Sequence, residues 1–299
     1  TLHVINLQIF RHITHNFLII RQYAFKNSMQ SDEKYICVSD MQSLCSVAYN
    51  ICAVYTEVFM PRFFVQEIDP ENIVITGDDA RHIGRSLRMK CGENVTVCCC
   101  GVDYFCRIRS FTDSEVFLDL IESSPCAAEP NVDVTLFQAV PKLDKLEYII
   151  QKSVELGVNR IVPVLSRRCI SRPTEKDFLK KLERLNKISE GAAKQSGRGI
   201  IPQITPIITY KKALEEMKKL DSCIILYEEQ GGKRFDEVNL DGRKSIGLVI
   251  GSEGGFDKEE VQAAVEAGAE PVWLGKRILR CETAPITAMS ILMFLTKNL

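Results

Sequence analysis

The chain contains 299 residues, of which 45% are apolar and 26% charged, a composition typical of globular proteins with enough material for a sizeable core. Its formal net charge is −1 and its pI about 6.4, which excludes a uniformly basic nucleic-acid-binding chain, so any basic surface must be local. The longest apolar stretches, such as FLII and LCSVAYNICAVY, are too short or too interrupted to predict a membrane span.

Twelve cysteines are present without any C-x-x-C pair, and Cys98, Cys99 and Cys100 are consecutive. Adjacent residues of a strand point to opposite faces, so this triple does not form one metal-ligand cluster. The spacing therefore favours reduced thiols in a cytoplasmic protein over a disulfide scaffold or a metal site.

Residues 1–59 differ from the rest of the chain, since they contain three of the four histidines and neither glycine nor proline. The stretch that follows, Met60-Pro61-Arg62-Phe63-Phe64, is typical of a protein start. We therefore expect the functional protein to begin at Met60, with residues 1–59 as upstream sequence. A genuine additional domain is the alternative.

Between residues 60 and 128 the chain is rich in strand signals separated by turn residues. The strand-like stretches are FFVQEI, NIVITG, NVTVCCCG, YFCRIRSF and EVFLDLIE. They predict a small β-barrel.

One helix, predicted over residues 78–90, interrupts these strands. Its apolar residues Ala80, Ile83 and Leu87 fall at helical spacing on one face. The opposite face carries three arginines: Arg81, Arg85 and Arg88. This basic face indicates either a contact with RNA phosphates or a solvated helix surface.

After residue 130 strands and helices alternate. The strand-like stretches are DVTLFQAV, NRIVPVLS, PQITPI, SCIILYEE, KSIGLVI and PVWLG; the helix-like stretches are KLDKLEYIIQKSVELG, EKDFLKKLERLNKISEGAAKQS, YKKALEEMKKL, DKEEVQAAVEAG and TAPITAMSILMFLTKN. This alternation predicts a parallel sheet covered by helices, in which ligands bind at the carboxyl ends of strands. Three loops stand out at such ends: LYEE, GSEGGF and LGKRILRCETA.

The GSEGGF loop has the glycine spacing G-x-x-G-G, which matches neither the dinucleotide-binding pattern nor the phosphate loop. Glu253 within the turn would repel a phosphate. We therefore expect the main chain of this turn to approach a neutral or cationic ligand closely, with tight packing of the turn as the alternative. Asp257 and Glu260 predict a capping box for the helix that follows.

The LGKRILRCETA loop places Arg277, Arg280 and Glu282 between a strand and the final helix. Two arginines so close together cannot both be buried without partners. Their crowding indicates a functional site, while a structural Arg280–Glu282 ion pair is the alternative.

Four stretches together, IGSEGGF, LGKRILRCETA, KSVELGVNRIVP and AAKQSGR, resemble the RsmE family of 16S ribosomal RNA uracil-N3 methyltransferases. This family belongs to the SPOUT (trefoil-knot) methyltransferases. The resemblance covers residues 60–299 and implies a PUA-like RNA-binding β-barrel over 60–128 and an α/β SPOUT domain over 131–299 with a knotted chain end. Residues 1–59 match nothing in the family.

The resemblance also implies S-adenosylmethionine as cofactor, 16S ribosomal RNA of the small subunit as partner, a homodimer and no metal. The cofactor-binding residues that it implies are Leu226, Tyr227 and Glu228; Gly251, Glu253, Gly254 and Gly255; and Leu274, Gly275, Ile278, Leu279 and Arg280. The chain departs from the family pattern at Ser252, where proline is usual, and at Lys194, where glutamate is expected.

Uracil N3 must lose its proton before it attacks a methyl carbon. We expect Arg280 to stabilise the resulting anion and Glu282 either to orient Arg280 or to accept the proton. The expected RNA-binding residues are Arg62, Arg81, Arg85, Arg88 and Arg198. Two other functions stay open at this point: a SPOUT enzyme that methylates a ribose 2′-hydroxyl, and a non-catalytic RNA-binding protein.

Overall fold

Two β-sheets organise the chain in a computed structural model that describes residues 60–142, 144–228 and 233–299. The predicted extra segment, residues 1–59, lies outside the described residues. Within these described ranges, no helix is long and apolar enough to cross a membrane, and every described cysteine is a free thiol.

The first sheet is formed by β1 (Arg62–Phe64), β2 (Ile73–Thr76), β3 (Asn94–Cys99), β4 (Val102–Phe111) and β5 (Glu115–Pro125). Its strand order is β1-β3-β4-β5-β2, and every pair is antiparallel except β1 with β3. The register of β4 against β5 shifts at two points, and such irregularities bend strands. The strand-rich fold predicted for this part of the chain is confirmed.

The helix between β2 and β3 is shorter than predicted. It consists of an α-helical turn, α1 (Gly77–Arg81), and a π-helical turn, His82–Ser86. The π-helical turn widens the backbone spacing, so the 3.6-residue period ends and Leu87 is 41% exposed instead of buried. Arg88 has a φ of +55° outside the helix, so the prediction that it shares the helix face with Arg81 is wrong.

The second sheet is parallel throughout. Its strands are β6 (Asp133–Ala139), β7 (Arg160–Leu165), β8 (Gln203–Ile204), β9 (Ile208–Thr209), β10 (Ser222–Leu226), β11 (Lys233–Arg234), β12 (Ser245–Ile250) and β13 (Ala269–Trp273). The order is β11-β13-β10-β12-β6-β7-β8, and β9 also pairs with β7. Since parallel neighbours need crossover connections, helices join most of these strands.

The helices of this part are α2 (Lys145–Glu155), α3 (Glu175–Ser196), α4 (Tyr210–Met217), α5 (Lys258–Glu266) and α6 (Thr283–Leu295). A short 3-10 helix, Phe235–Glu237, follows β11. The sheet and these helices enclose one large apolar core that includes Phe137, Ile224 and Leu248. The predicted α/β fold class is confirmed.

Helix ends in this part follow local sequence signals. Thr174 caps α3 by accepting a hydrogen bond from the Asp177 amide, and Gly197 ends the helix with a φ of +75°. Asp257 and Glu260 form the predicted capping box at the start of α5.

Candidate active site

A cavity of about 570 Å³ lies at the carboxyl ends of β10, β12 and β13, which are neighbours in the sheet. Its volume is within the usual range for small-molecule sites. The three loops singled out in the sequence follow these strands, and each contributes to the wall.

The cavity brings together nearly all the predicted cofactor-binding residues. The predicted residues in its wall are Leu226, Tyr227, Glu228, Gly251, Glu253, Gly255, Leu274, Gly275, Ile278, Leu279 and Arg280. Ile278 is 86% exposed at the mouth, so in this arrangement most of its side chain faces outward.

Gly254 is the exception among these predicted residues, because it does not line the cavity. A Cβ atom added at Gly254 would lie 2.8 Å from the Cβ and 2.9 Å from the carbonyl oxygen of Arg168. The glycine at this position therefore permits close packing of the turn against the loop after β7. Tight packing of the turn therefore explains the glycine at position 254 better than close approach of a ligand does.

Gly255 and Gly251 close the turn beside the cavity. Gly255 has a φ of +64°, where a side chain would be strained, and a Cβ atom at Gly251 would lie 3.0 Å from the Gly255 Cα. The buried Gln138 supports this turn from β6, since its Nε2 donates a hydrogen bond to the Gly251 carbonyl over 3.3 Å. Sequence reasoning missed Gln138, although a glutamine in an apolar strand is a usable signal.

Lys145, at the start of α2, is the main residue of the site that sequence reasoning missed. Its Nζ lies 3.0 Å from the Glu253 Oε1 and 3.1 Å from the Glu282 Oε2. The Lys142 amide also donates to Glu253, over 3.1 Å. The strand β6 that leads into this segment pairs with β12, and that neighbourhood cannot be read from chain order.

Glu282 is held by Lys145 and by Cys281, whose thiol donates to the Glu282 Oε2 over 3.2 Å. Burial alone would raise the pKa of Glu282, but the hydrogen bonds from Cys281 and Lys145 outweigh it and lower the pKa. Burial and the neighbouring Glu282 raise the pKa of Cys281 to about 12. At neutral pH the site therefore contains an ionised carboxylate and a protonated thiol.

Arg280 is exposed at the cavity mouth. Among the residues that the structure describes, it forms no ion pair, and Glu282 pairs with Lys145 instead. The alternative of a structural Arg280–Glu282 pair is therefore wrong for this arrangement, as is the expectation that Glu282 orients Arg280. The donors of the Arg280 guanidinium stay available at the mouth.

Two of the predicted RNA-binding arginines form ion pairs within the protein and are largely buried. Arg198 is 2% exposed, and its Nε and Nη2 donate to the two carboxylate oxygens of Glu129 over 2.9 and 2.7 Å. Arg62 forms a similar pair with Asp103, over 2.5 and 3.0 Å. These placements leave no free guanidinium for a phosphate, which corrects the expectation of RNA contact for both residues.

The other predicted RNA-binding arginines are exposed near the first sheet. Arg81 pairs with Asp78 within α1, Arg85 lies in the π-helical turn, and Arg88 lies beyond the end of that turn. The structure thus separates the predicted basic set into buried structural arginines and a small exposed group.

Comparison with known proteins shows the family to which this chain belongs. The family described as an RNA methyltransferase domain matches residues 128–293. Ribosomal RNA small subunit methyltransferase E (RsmE) of Bacillus subtilis is 33% identical over 254 residues, which cover 80% of this chain and 98% of the relative. The protein of the same name from Mesomycoplasma hyopneumoniae is 36% identical over 228 residues, covering 76% of this chain and 96% of the relative. This chain belongs to the RsmE family.

A solved RsmE structure from Neisseria gonorrhoeae, bound to S-adenosyl methionine, has the same fold. It gives a TM-score of 0.71 at 32% identity and covers 79% of this chain and 98% of its own. The predicted family resemblance and the predicted enzyme class, an RNA methyltransferase, are confirmed.

The two departures from the RsmE pattern have defined contacts. Ser252 is buried, and its hydroxyl donates to the Arg168 carbonyl over 3.4 Å, so it joins the turn to the loop after β7. Lys194 reaches from α3 to Asp79 of α1 over 3.2 Å and lies 5.8 Å from the centre of the Phe63 ring in β1. Lys194 therefore joins α3 to elements of the first sheet's part of the chain.

Proposed function

We propose that this chain transfers a methyl group from S-adenosylmethionine to N3 of a uridine in 16S ribosomal RNA of the small subunit. The observation that carries the proposal is the cavity at the ends of β10, β12 and β13 in a member of the RsmE family. Such a position is where open parallel sheets bind their ligands.

The residues present fit the cofactor. Leu226, Leu274 and Leu279 line the cavity and supply apolar surface for the adenine. Gly275 also lines the cavity with a φ of +111°, which favours glycine, and the missing side chain lets a ligand approach its backbone. Glu253 lines the cavity as well, where its carboxylate is paired with the Lys145 ammonium.

The cofactor, when bound, supplies an activated methyl group whose carbon bonds to uracil N3 while the carbon–sulfur bond breaks and leaves a neutral thioether. The protein's contribution is alignment in a site shielded from water and stabilisation of the uracil anion. No step of this kind requires a redox partner.

Arg280 is our proposed catalytic residue for the anion. Once N3 loses its proton, the negative charge spreads to the two neighbouring carbonyl oxygens, and a planar guanidinium donates well to such oxygens. Glu282 is our candidate for accepting the N3 proton at a carboxylate oxygen. Its lowered pKa keeps it in the proton-accepting form at neutral pH and also makes it a weaker base than an ordinary glutamate.

We further propose that the first sheet is a PUA-like RNA-binding domain, that the chain end forms a trefoil knot, and that the protein acts in the cytoplasm as a homodimer. Support for the homodimer comes from two apolar side chains that are exposed on α6 and at the chain end. Phe294 is 71% exposed and Leu299 is 73% exposed. A partner subunit that covers these side chains would remove their apolar surface from water.

The direct test uses small ribosomal subunits from cells that lack this protein. With S-adenosylmethionine and the full chain, we expect one methyl group per 16S RNA, located on the base of a uridine by fragmentation of the isolated nucleoside. A methyl group on the ribose would instead support a 2′-O-methyltransferase. Absence of both transfer and cofactor binding in calorimetry would support a non-catalytic RNA-binding protein.

The exposed arginines of the first domain are expected to contribute to RNA affinity. Reversing both charges in Arg81→Glu/Arg85→Glu should reduce the slope of log affinity against log salt concentration by roughly 1 to 2 units, because about two phosphate contacts are lost. Binding to a 16S fragment, measured by anisotropy between low and moderate salt, checks this.

A matched control for that experiment is Lys218→Glu/Lys219→Glu, which makes the same charge change just before β10, at the end of the sheet opposite the cavity. We expect its salt slope to stay within about half a unit of the native value. Equal slopes for both double variants would show that the first domain's helix is not part of the RNA-binding surface.

A further inference from the structure

One ammonium group joins two loops of the candidate site. The Lys145 Nζ lies between carboxylates of Glu253, 108 residues away in the GSEGGF loop, and Glu282, in the loop that follows β13. All three side chains are partly buried, with exposures of 31%, 24% and 19%. Lys145 also lines the cavity itself.

This arrangement differs from the other lysine pair on the same helix. Lys152 contacts Glu155 one turn along α2, a local pair that connects nothing outside the helix. The exposures there are similar, 33% and 27%. What distinguishes Lys145 is that it joins three separate segments of the cavity wall.

The positive charge of Lys145 also allows the carboxylates of Glu253 and Glu282 to lie close to one another. Without it, Glu253 and Glu282 would be two like charges directed toward one position, and such a pair is destabilised by repulsion. Glu253 would still be held by the Lys142 amide, over 3.1 Å. Among the described residues, Glu282 would keep its own main-chain amide and the Cys281 thiol, both from the same loop, so the loop after β13 is the segment expected to move.

We propose that Lys145 is a positioning residue that fixes the loop after β13, with Arg280 and Glu282, at the spacing from the GSEGGF turn that the cofactor and the target base require. This proposal rests on the proposed function for its catalytic consequence. Its structural part, the coupling of the two loops, concerns the protein without cofactor.

The first test is hydrogen exchange of the full chain without cofactor. In Lys145→Met, we expect faster amide exchange in residues 275–282, with smaller changes in 251–255, because the remaining partners of Glu282 belong to its own loop while Glu253 keeps the Lys142 amide. Lys152→Met is the matched control, and its exchange in both segments should equal that of the native protein. Equal exchange in Lys145→Met and the native protein would overturn the proposal.

The second test measures S-adenosylmethionine affinity by calorimetry and turnover on small subunits. Lys145→Met should weaken cofactor affinity roughly tenfold and lower kcat by about 100-fold, since misplacement of a reacting group by about 1 Å has that effect. Lys145→Arg should recover most of both losses, because a guanidinium reaches both carboxylates. Failure of arginine to recover either quantity would contradict the positioning role.

The controls separate this proposal from the proposed function. If the native protein neither binds S-adenosylmethionine nor methylates RNA, the proposed function fails, while the exchange experiment still decides the role of Lys145. If the native protein does both and Lys145→Met matches it, the positioning role fails alone. Should Lys145→Met not fold, Glu282→Gln weakens the arm of the bridge that holds the loop after β13 and is expected to show the same faster exchange in residues 275–282.

Discussion

Arg280→Ala is expected to reduce methyl transfer to uridine by about 10²–10³-fold, the usual effect of removing one donor that stabilises a developing anion. Arg280 is exposed at the cavity mouth and forms no ion pair with any described residue, so its donors are available to the uracil oxygens. Cofactor affinity should change by less than about twofold, because the wall of the cavity around the adenine stays intact. The measurement is kcat on small subunits together with the cofactor Kd from calorimetry.

Two variants sharpen the Arg280 experiment. Arg280→Lys keeps the charge but loses the planar fork, so we expect an intermediate rate. Arg243→Ala removes an exposed arginine just before β12, at the opposite end of that strand from the cavity, and should leave kcat unchanged. If Arg280→Ala keeps the native kcat, Arg280 does not act in the reaction. If Arg243→Ala loses as much kcat as Arg280→Ala, the effect is not specific to Arg280.

Arg198→Met is expected to lower the free energy of unfolding by about 3–5 kcal/mol, the usual result of removing one partner of a buried ion pair. Arg198 donates to both oxygens of Glu129 and, through Nη1, to the carbonyls of Val154 and Val158 over 3.2 and 2.9 Å. The substitution leaves the Glu129 carboxylate without its charged partner in a largely buried position. The carbonyls of Val154 and Val158 each lose one donor as well, and the Val154 carbonyl keeps the Gly157 amide.

Urea unfolding of the cofactor-free full chain measures this loss. Arg198→Met/Glu129→Gln should lose less than Arg198→Met, since the uncompensated charge is gone. Arg184→Met removes an exposed arginine that pairs with Glu147 and should lower stability by less than about 1 kcal/mol. A loss that small in Arg198→Met would show that Arg198 contributes little to stability and would reopen a binding role for it.

Local sequence patterns were sufficient for most elements of this fold. The strand and helix periods, the capping box at Asp257 and the Gly197 helix end act over a few residues, so they are visible in a short window. The same holds for the three loops of the cavity, whose residues lie at strand ends. The helix that contains Ala80 is an exception to this agreement. The π-helical turn that follows Arg81 ends the 3.6-residue helical period on which the prediction depended.

The ion-pair partners of the charged residues could not be predicted from such short patterns. From the sequence we expected Arg198 to contact RNA and Glu282 to act beside Arg280, yet Arg198 is buried against Glu129 and Glu282 pairs with Lys145. Local patterns therefore predicted the fold class and the loops, and the resemblance of four short motifs indicated the family. The strand order brought β6 beside β12 and Lys145 to Glu253, since contacts between segments more than 100 residues apart depend on how the sheet is assembled and leave no short-range pattern.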